Sequence, residues 1–349
     1  MITAVMFVIG VILLVVGADR LVAGASGLAR RIGVSSVVIG LTVVALGTST
    51  PELFVSCVSA VQGRSDISVG NVVGSNISNL LLILGVTALI MPMTVSSRLL
   101  RFDAKIMLAT AAGVSAMSLD GIVSRFEGIA LLISLGCYLV LSVKMSGKIS
   151  AEQDTTKPLN SALSIIWIVL GLVSLVIGSQ LVLTSSVTMA KALGLSELVI
   201  GLTIVAVGTS LPEIATSLMA SKRGDVDMSV GNLVGSNILN ILAILGLSSV
   251  IAPEGLVVSD TLRLFDIPVM LVVSVAVIPL FWTHGMVTRL DSLALVAGYL
   301  LYVASLLLDW NDPLQFRVLA IAAGGYASFS AMVMYKGVRV TIKNLAKPV

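Results

Sequence analysis

The sequence predicts an all-α polytopic membrane protein: a ten-helix core built as two inverted five-helix repeats with broken helices, plus an eleventh, C-terminal helix. Three observations predict it. Of 349 residues, 57% are hydrophobic and only 11% charged, with a mean hydropathy of +1.10. Apolar runs long enough to cross a bilayer recur along the whole chain, and one half of the chain repeats the other. Soluble domains carry roughly 25% charged residues. The 21 Lys+Arg and 18 Asp+Glu here are too few to cover a water-facing surface of this size. A soluble enzyme, a nucleic-acid binder and a disordered chain are excluded together.

A span needs about 20 apolar residues, so this length holds about ten to twelve helices and no additional soluble domain. Apolar runs fall at about 2–28, 35–62, 67–92, 104–119 and 124–143. A second set lies at about 161–187, 197–221, 228–252, 265–283 and 289–308, and a last run at about 318–335. The halves are therefore 1–143 and 161–309, joined by the polar linker 144–160 and followed by an extra helix and basic tail in 310–349. The stretch Val5 to Val16 has no preceding basic residue, the first cation being Arg20, and it outruns a signal peptide. It reads as the first span. Cys57 and Cys137 sit in apolar runs and imply no disulfide framework.

Basic residues set orientation through their bias toward cytoplasmic loops. With the N-terminus outside and eleven spans, 15 Lys/Arg fall on the cytoplasmic side and 5 outside; ten spans weaken the split to 11 against 9. The expected placement is a multi-pass cell (inner) membrane protein, N-terminus outside and C-terminus cytoplasmic.

Shifting the sequence by 161 residues aligns 40–86 with 201–247 without a gap, at 27 identities in 47 positions. Gly47-Thr48-Ser49-Thr50-Pro51-Glu52 answers to Gly208-Thr209-Ser210-Leu211-Pro212-Glu213. The run from Gly70 to Asn79 answers to that from Gly231 to Asn240. Five spans separate equivalent points, and five is odd, so the second copy enters the membrane from the opposite side. Inverted repeats of this kind build secondary transporters, with the site near the midplane.

Glu52 and Glu213 lie well within apolar runs, where a carboxylate costs about 2.5 kcal/mol or more to insert and marks a functional site by default. A protonated glutamate in one interhelical hydrogen bond is the blander alternative; two at equivalent positions of an inverted repeat argue against it. Pro51 and Pro212 free the carbonyls of Gly47 and Gly208 by removing a donor and clashing one turn back. Gly47 and Gly208 also make such breaks easier. Broken backbone at this depth is tolerated where it lines a cavity or is buried, and freed carbonyls coordinate cations. Helical i,i+4 spacing places Thr48 with Glu52 and Thr209 with Glu213 on shared faces, and likewise Ser75 with Asn79 and Ser236 with Asn240. Gly70, Gly74, Asn71 and their copies read as close packing and interhelical glue; for Asn79 and Asn240 the nearby glutamates favour a ligand role. The inventory is all oxygen, without His or Cys, and suits hard cations. A charge of −2 matches one Ca²⁺ or two Na⁺.

These doubled motifs resemble the alpha repeats of the sodium/calcium exchanger branch of the calcium/cation antiporter superfamily, in two stretches of about fifty residues. The resemblance implies Ca²⁺ export driven by Na⁺ entry, alternating access, and broken helices at ion sites near the bilayer centre. It makes Glu52 and Glu213 shared ligands. Thr48, Ser49, Thr209, Ser210, Ser75 and Ser236 supply hydroxyls, and Ala45 and Ala206 backbone carbonyls. Several family members carry Asp where Asn79 and Asn240 stand; the amides lower the site's negative charge and weigh against K⁺ co-transport. The short linker excludes the Ca²⁺-sensing domains of animal exchangers, so the chain looks prokaryotic.

The leading expectation is Na⁺/Ca²⁺ antiport with no cofactor, the ions and the bilayer being the only partners implied, with no nucleic acid or protein partner. The alternatives are H⁺/Ca²⁺ antiport and, in a different class, a cation channel. No nucleophile–base constellation supports an enzyme. His284 falls near a span end, Trp282 and Trp310 read as interfacial anchors, and Asp19 is expected to pair with Arg20 or to cap polar contacts in the first span.

Overall fold

The computed structural model describes residues 2–145, 160–194 and 206–307. Within them lie α1 (Ile2–Ile32), the bent pair α2 (Ser36–Thr48) and α3 (Thr50–Val61), α4 (Ser65–Ile90), α5 (Leu99–Asp120) and α6 (Arg125–Lys144). The second half holds α7 (Ser161–Ala192), α8 (Ala206–Thr209), α9 (Leu211–Lys222), α10 (Val226–Ile251), α11 (Leu262–Phe281) and α12 (Arg289–Leu306). Eight of these helices are long and apolar enough to cross a bilayer, nine with the bent pair counted as one span. The run expected at 197–221 falls partly outside the described residues. The linker 144–160 falls almost wholly outside them. The expected eleventh helix, the basic tail, Trp310 and the side chains of Trp282 and His284 also lie outside.

Inversion is visible in the way α1 and α7 meet. Gly10, Gly17 and Gly24 recur every seven residues on one face of α1. A methyl group on them would fall 2.9, 2.9 and 2.6 Å from the carbonyls of Gly178, Gly171 and Ser164 of α7. The numbers rise on one helix and fall on the other, so equivalent helices of the two halves run antiparallel. No side chain fits between the backbones, which is how small residues join membrane helices. Elsewhere these two helices present Val, Ile and Leu outward, as lipid-facing spans do.

α4 and α10 are the central helices, with 72% and 78% of their most apolar windows buried. Two-stranded ribbons close the loops at both ends and obey the same symmetry. β1 (Met93–Thr94) pairs antiparallel with β4 (Met286–Val287), and β2 (Ile122–Val123) with β3 (Leu256–Val257). α6 and α12 start in matching ways. Ser124 and Glu127 form a reciprocal capping box, and Thr288 and Asp291 exchange the equivalent hydrogen bonds.

Charged groups away from the centre make specific contacts between helices. Asp19 pairs with Arg223 through Nε at 3.0 Å rather than with its neighbour Arg20, whose guanidinium lies 4.8 Å from the Trp167 ring centroid. On a helix, adjacent residues point to different faces, so the expected Asp19–Arg20 pairing gives way to a contact between α1 and the end of α9.

Candidate functional site

In the first repeat the chain breaks at Ser49, where φ −81° and ψ 10° bend α2 from α3 by 50°. Ser210 breaks the second repeat with nearly the same angles, φ −90° and ψ 9°. Pro51 and Pro212 then sit in the first turns of α3 and α9, where a missing N–H costs nothing. Glu52 and Glu213 occupy those same first turns, at the positive end of the helix dipole that favours a carboxylate. The glycines before each break have a packing reason as well. A methyl on Gly47 would meet Leu172, and one on Gly208 would meet Leu183, both in α7.

Glu52 and Glu213 are each only 1% exposed, so bulk water cannot solvate them. Ser49, three residues before Glu52, reaches Glu213 with its hydroxyl, and none of the ion pairs among the described residues involves either acid. Buried charge of one sign demands an opposite charge. Asn79, Asn240, Ser210 and Ser236 are likewise buried, and the turns that open at Asn240 and Asn79 pack on the helices of Glu52 and Glu213, respectively. Glu52 Oε2, Glu213 Oε2, Asn79 Oδ1, Asn240 Oδ1, Ser210 Oγ and Ser236 Oγ have no hydrogen-bond partner among the described residues. Native interiors rarely leave such oxygens unpaired, and a bound ion is one explanation when they are.

The repeats are stitched together through the site. Ser49 Oγ donates to Glu213 Oε1 at 3.1 Å, and the Thr48 hydroxyl lies 3.3 Å from both Asn232 Oδ1 and the Ala45 carbonyl. Thr48 therefore does not share a continuous helical face with Glu52 as i,i+4 spacing suggested, because the bend at Ser49 intervenes. Asn71 fixes the first turn of α3 by donating to the Glu52 carbonyl at 3.1 Å and to Ser56 Oγ at 2.8 Å. Asn232 holds Ser217 in the same way at 3.1 Å, so these two asparagines act as glue. Gly231 and Gly235 press α10 against the backbone of α2 at Val37 and Leu41; the second-repeat positions that correspond to Val37 and Leu41 lie outside the described residues.

Asn79 and Asn240 each open a π-helical turn, Asn79–Ile83 and Asn240–Leu245. Such single widened turns cluster at functional sites. Ser75 is buried on the Asn79 side of α4. Thr209 is half-buried at the end of α8. The Ala45 carbonyl accepts the Ser49 N–H at 3.0 Å as well as the Thr48 contact, and its counterpart Ala206 is the first described residue of α8. Among the described residues no group of three or more His, Cys, Asp or Glu comes together. A two-carboxylate, amide and hydroxyl site suits an ion that must both enter and leave.

Two buried acids that pair with tyrosines escape a reading based on apolar runs. Asp103 accepts a hydrogen bond from Tyr138 at 3.2 Å and lies 3.9 Å from Arg98; Asp266 accepts one from Tyr302 at 2.8 Å. Phe102-Asp103 and Phe265-Asp266 form a second short repeat, which was the available signal. Both acids belong to interhelical pairs away from the glutamates.

A carboxylate pair buried between two inverted membrane repeats, with unpaired oxygens on the elements packed against it, is the arrangement of a cation antiporter. The family of the sodium/calcium exchanger protein matches residues 2–144 and 163–308, and this chain belongs to it. It is similar to the inner membrane protein YrbG of Escherichia coli, 35% identical over 297 residues covering 82% of this chain and 90% of that protein. The sodium/calcium exchanger MaX1 of Methanosarcina acetivorans is 34% identical over 318 residues, covering 79% and 90%. Among solved structures, the sodium-calcium exchanger NCX_Mj soaked with zero Na⁺ and Ca²⁺ superposes with a TM-score of 0.76 at 34% identity, covering 87% of this chain and 98% of that one.

Proposed function

We propose that this protein exchanges Na⁺ for Ca²⁺ across the membrane by alternating access, binding both at the site around Glu52 and Glu213. The observation that carries the reading is a buried carboxylate pair that no cationic side chain neutralises among the described residues, with unpartnered oxygens on both glutamates and on Asn79, Asn240, Ser210 and Ser236. One Ca²⁺ or two Na⁺ balance that charge, and a site that holds either load but not both couples their movements by competition. The proposed ligands are Glu52, Glu213, Asn79, Asn240, Thr48, Thr209, Ser49, Ser210, Ser75 and Ser236, with backbone carbonyls from Ala45 and Ala206. The halves 1–143 and 161–309 act as the two alternating units, and the N-terminus faces outside. The names of MaX1 and NCX_Mj support Na⁺ as the coupling ion. Against H⁺/Ca²⁺ exchange, the hydroxyl and amide oxygens have no use in binding protons. Uptake of ⁴⁵Ca²⁺ by proteoliposomes separates the two: an imposed Na⁺ gradient drives it, and uptake driven by a pH gradient alone would overturn the assignment.

A further inference from the structure

The amide of Asn240 is one of the proposed ligands, and an amide presents an oxygen to a cation only if its nitrogen is turned away. We propose that Asn76 is the positioning residue that sets this polarity, and that it makes position 240 selective for an amide over a carboxylate. The inference rests on the ion-exchange reading above.

The argument is a chain of donors and acceptors with a fixed end. Asn76 on α4 donates through Nδ2 to the backbone carbonyl of Asn237 on α10 at 3.4 Å, and the same nitrogen lies 3.5 Å from the Met270 sulfur. A main-chain carbonyl only accepts, so the nitrogen end of Asn76 is bound to that side. Its Oδ1 therefore faces Asn240, and that oxygen also only accepts. Asn240 Nδ2 donates to it at 3.1 Å. The one remaining polar atom, Asn240 Oδ1, is buried and has no partner among the described residues. Rotating either amide by half a turn brings oxygen against oxygen in a buried site, where a mismatched polar contact costs most. Asn76 itself is 2% exposed, so water does not relieve the mismatch.

The pseudo-twofold axis does not repeat this device. Asn237, the counterpart of Asn76, donates instead to the Leu233 carbonyl one turn back at 3.0 Å, and its Oδ1 has no partner among the described residues. Asn79 is therefore not held by an acceptor from its counterpart. An ionised aspartate at 240 offers Asn76 only acceptor oxygens at a distance set for a donor, whereas position 79 makes no such hydrogen bond with Asn237 among the described residues. The charge of the ion site is thus restricted on one repeat and open on the other.

The test measures Na⁺-driven ⁴⁵Ca²⁺ uptake in proteoliposomes, with half-saturation and maximal rate determined separately and melting temperature recorded for each protein. Asn76→Ala raises the Ca²⁺ half-saturation about fivefold, as loss of one orienting hydrogen bond implies, while maximal rate changes less than twofold. Asn240→Asp raises it at least tenfold, and the double variant Asn76→Ala/Asn240→Asp recovers toward the Asn76→Ala value because the opposing acceptor is gone. A double variant worse than Asn240→Asp alone, or Asn76→Ala lowering melting temperature with half-saturation unchanged, overturns the proposal and leaves Asn76 a packing residue. Should Asn76→Ala fail to fold, Asn79→Asp and Asn240→Asp decide: equal transport by both contradicts the asymmetry, and selective loss in Asn240→Asp supports it. Wild-type protein showing no Na⁺-driven uptake would refute the exchange reading itself, which keeps the two failures distinct.

Discussion

Ser49 Oγ donates to Glu213 Oε1 at 3.1 Å, joining residues 164 positions apart and in different repeats. The residue at which the first repeat's helix bends thus orients the carboxylate of the second. Each half of the site depends on the other, so single substitutions act on the whole of it.

Replacing either acid tests that dependence first. Glu52→Gln or Glu213→Gln lowers Ca²⁺ uptake by roughly a hundredfold or more, since removing one partner of a buried charge interaction costs about 3–5 kcal/mol. The protein still inserts, as a neutral amide is less costly in the membrane than a carboxylate. Uptake measured at matched protein content checks this. Near-normal exchange by either variant would make that glutamate a packing residue.

Ser49→Ala removes the contact to Glu213 without changing charge. A hydrogen bond to a charged group contributes about 1.5–3 kcal/mol, so the Ca²⁺ half-saturation rises roughly tenfold. Titrating Ca²⁺ at fixed Na⁺ reads this directly. An unchanged curve would mean that Glu213 holds its orientation without Ser49.

Asn79→Asp adds a third carboxylate at a position that no hydrogen bond from Asn237 constrains. Coulomb attraction scales with charge and Ca²⁺ sites tune affinity through it, so more Na⁺ is needed to half-inhibit Ca²⁺ uptake. The shift expected is upward by several-fold; no shift, with normal transport, would remove Asn79 from the ion site.

The basic-residue bias predicts that Lys343 faces the cytoplasm; the apolar run 318–335 before it lies outside the described residues. A cysteine at position 343, introduced in a background lacking Cys57 and Cys137, is predicted to resist a membrane-impermeant thiol reagent in intact cells and to react after lysis. Labelling in intact cells would reverse the topology or reduce the spans to ten.

The parts of this site legible in the sequence are those whose cost is local. Glu52 and Glu213 stand out because a carboxylate in an apolar run is expensive wherever the chain goes, and their 161-residue spacing implies the axis that joins them. Asn79 and Asn240 follow from helical spacing in helices that remain continuous through Ser75 and Ser236. What local periodicity cannot supply is the partner across a bend. Thr48 turns to Asn232 and Asp19 to Arg223, because the break at Ser49 and the packing of α1 on α9 are set by contacts some 180 to 200 residues apart. Asp103 and Asp266 were hidden for another reason. They lie near span ends, where sequence alone does not separate a buried acid from a solvated one.

The central claim is that Na⁺ and Ca²⁺ occupy one shared site, and equilibrium ⁴⁵Ca²⁺ binding to the purified protein at increasing Na⁺ tests it most directly. The account predicts that Na⁺ raises the apparent Kd for Ca²⁺ steeply, with more than one Na⁺ displacing each Ca²⁺, while binding capacity stays constant. Ca²⁺ binding that Na⁺ leaves untouched, or whose capacity falls at constant Kd, would contradict it.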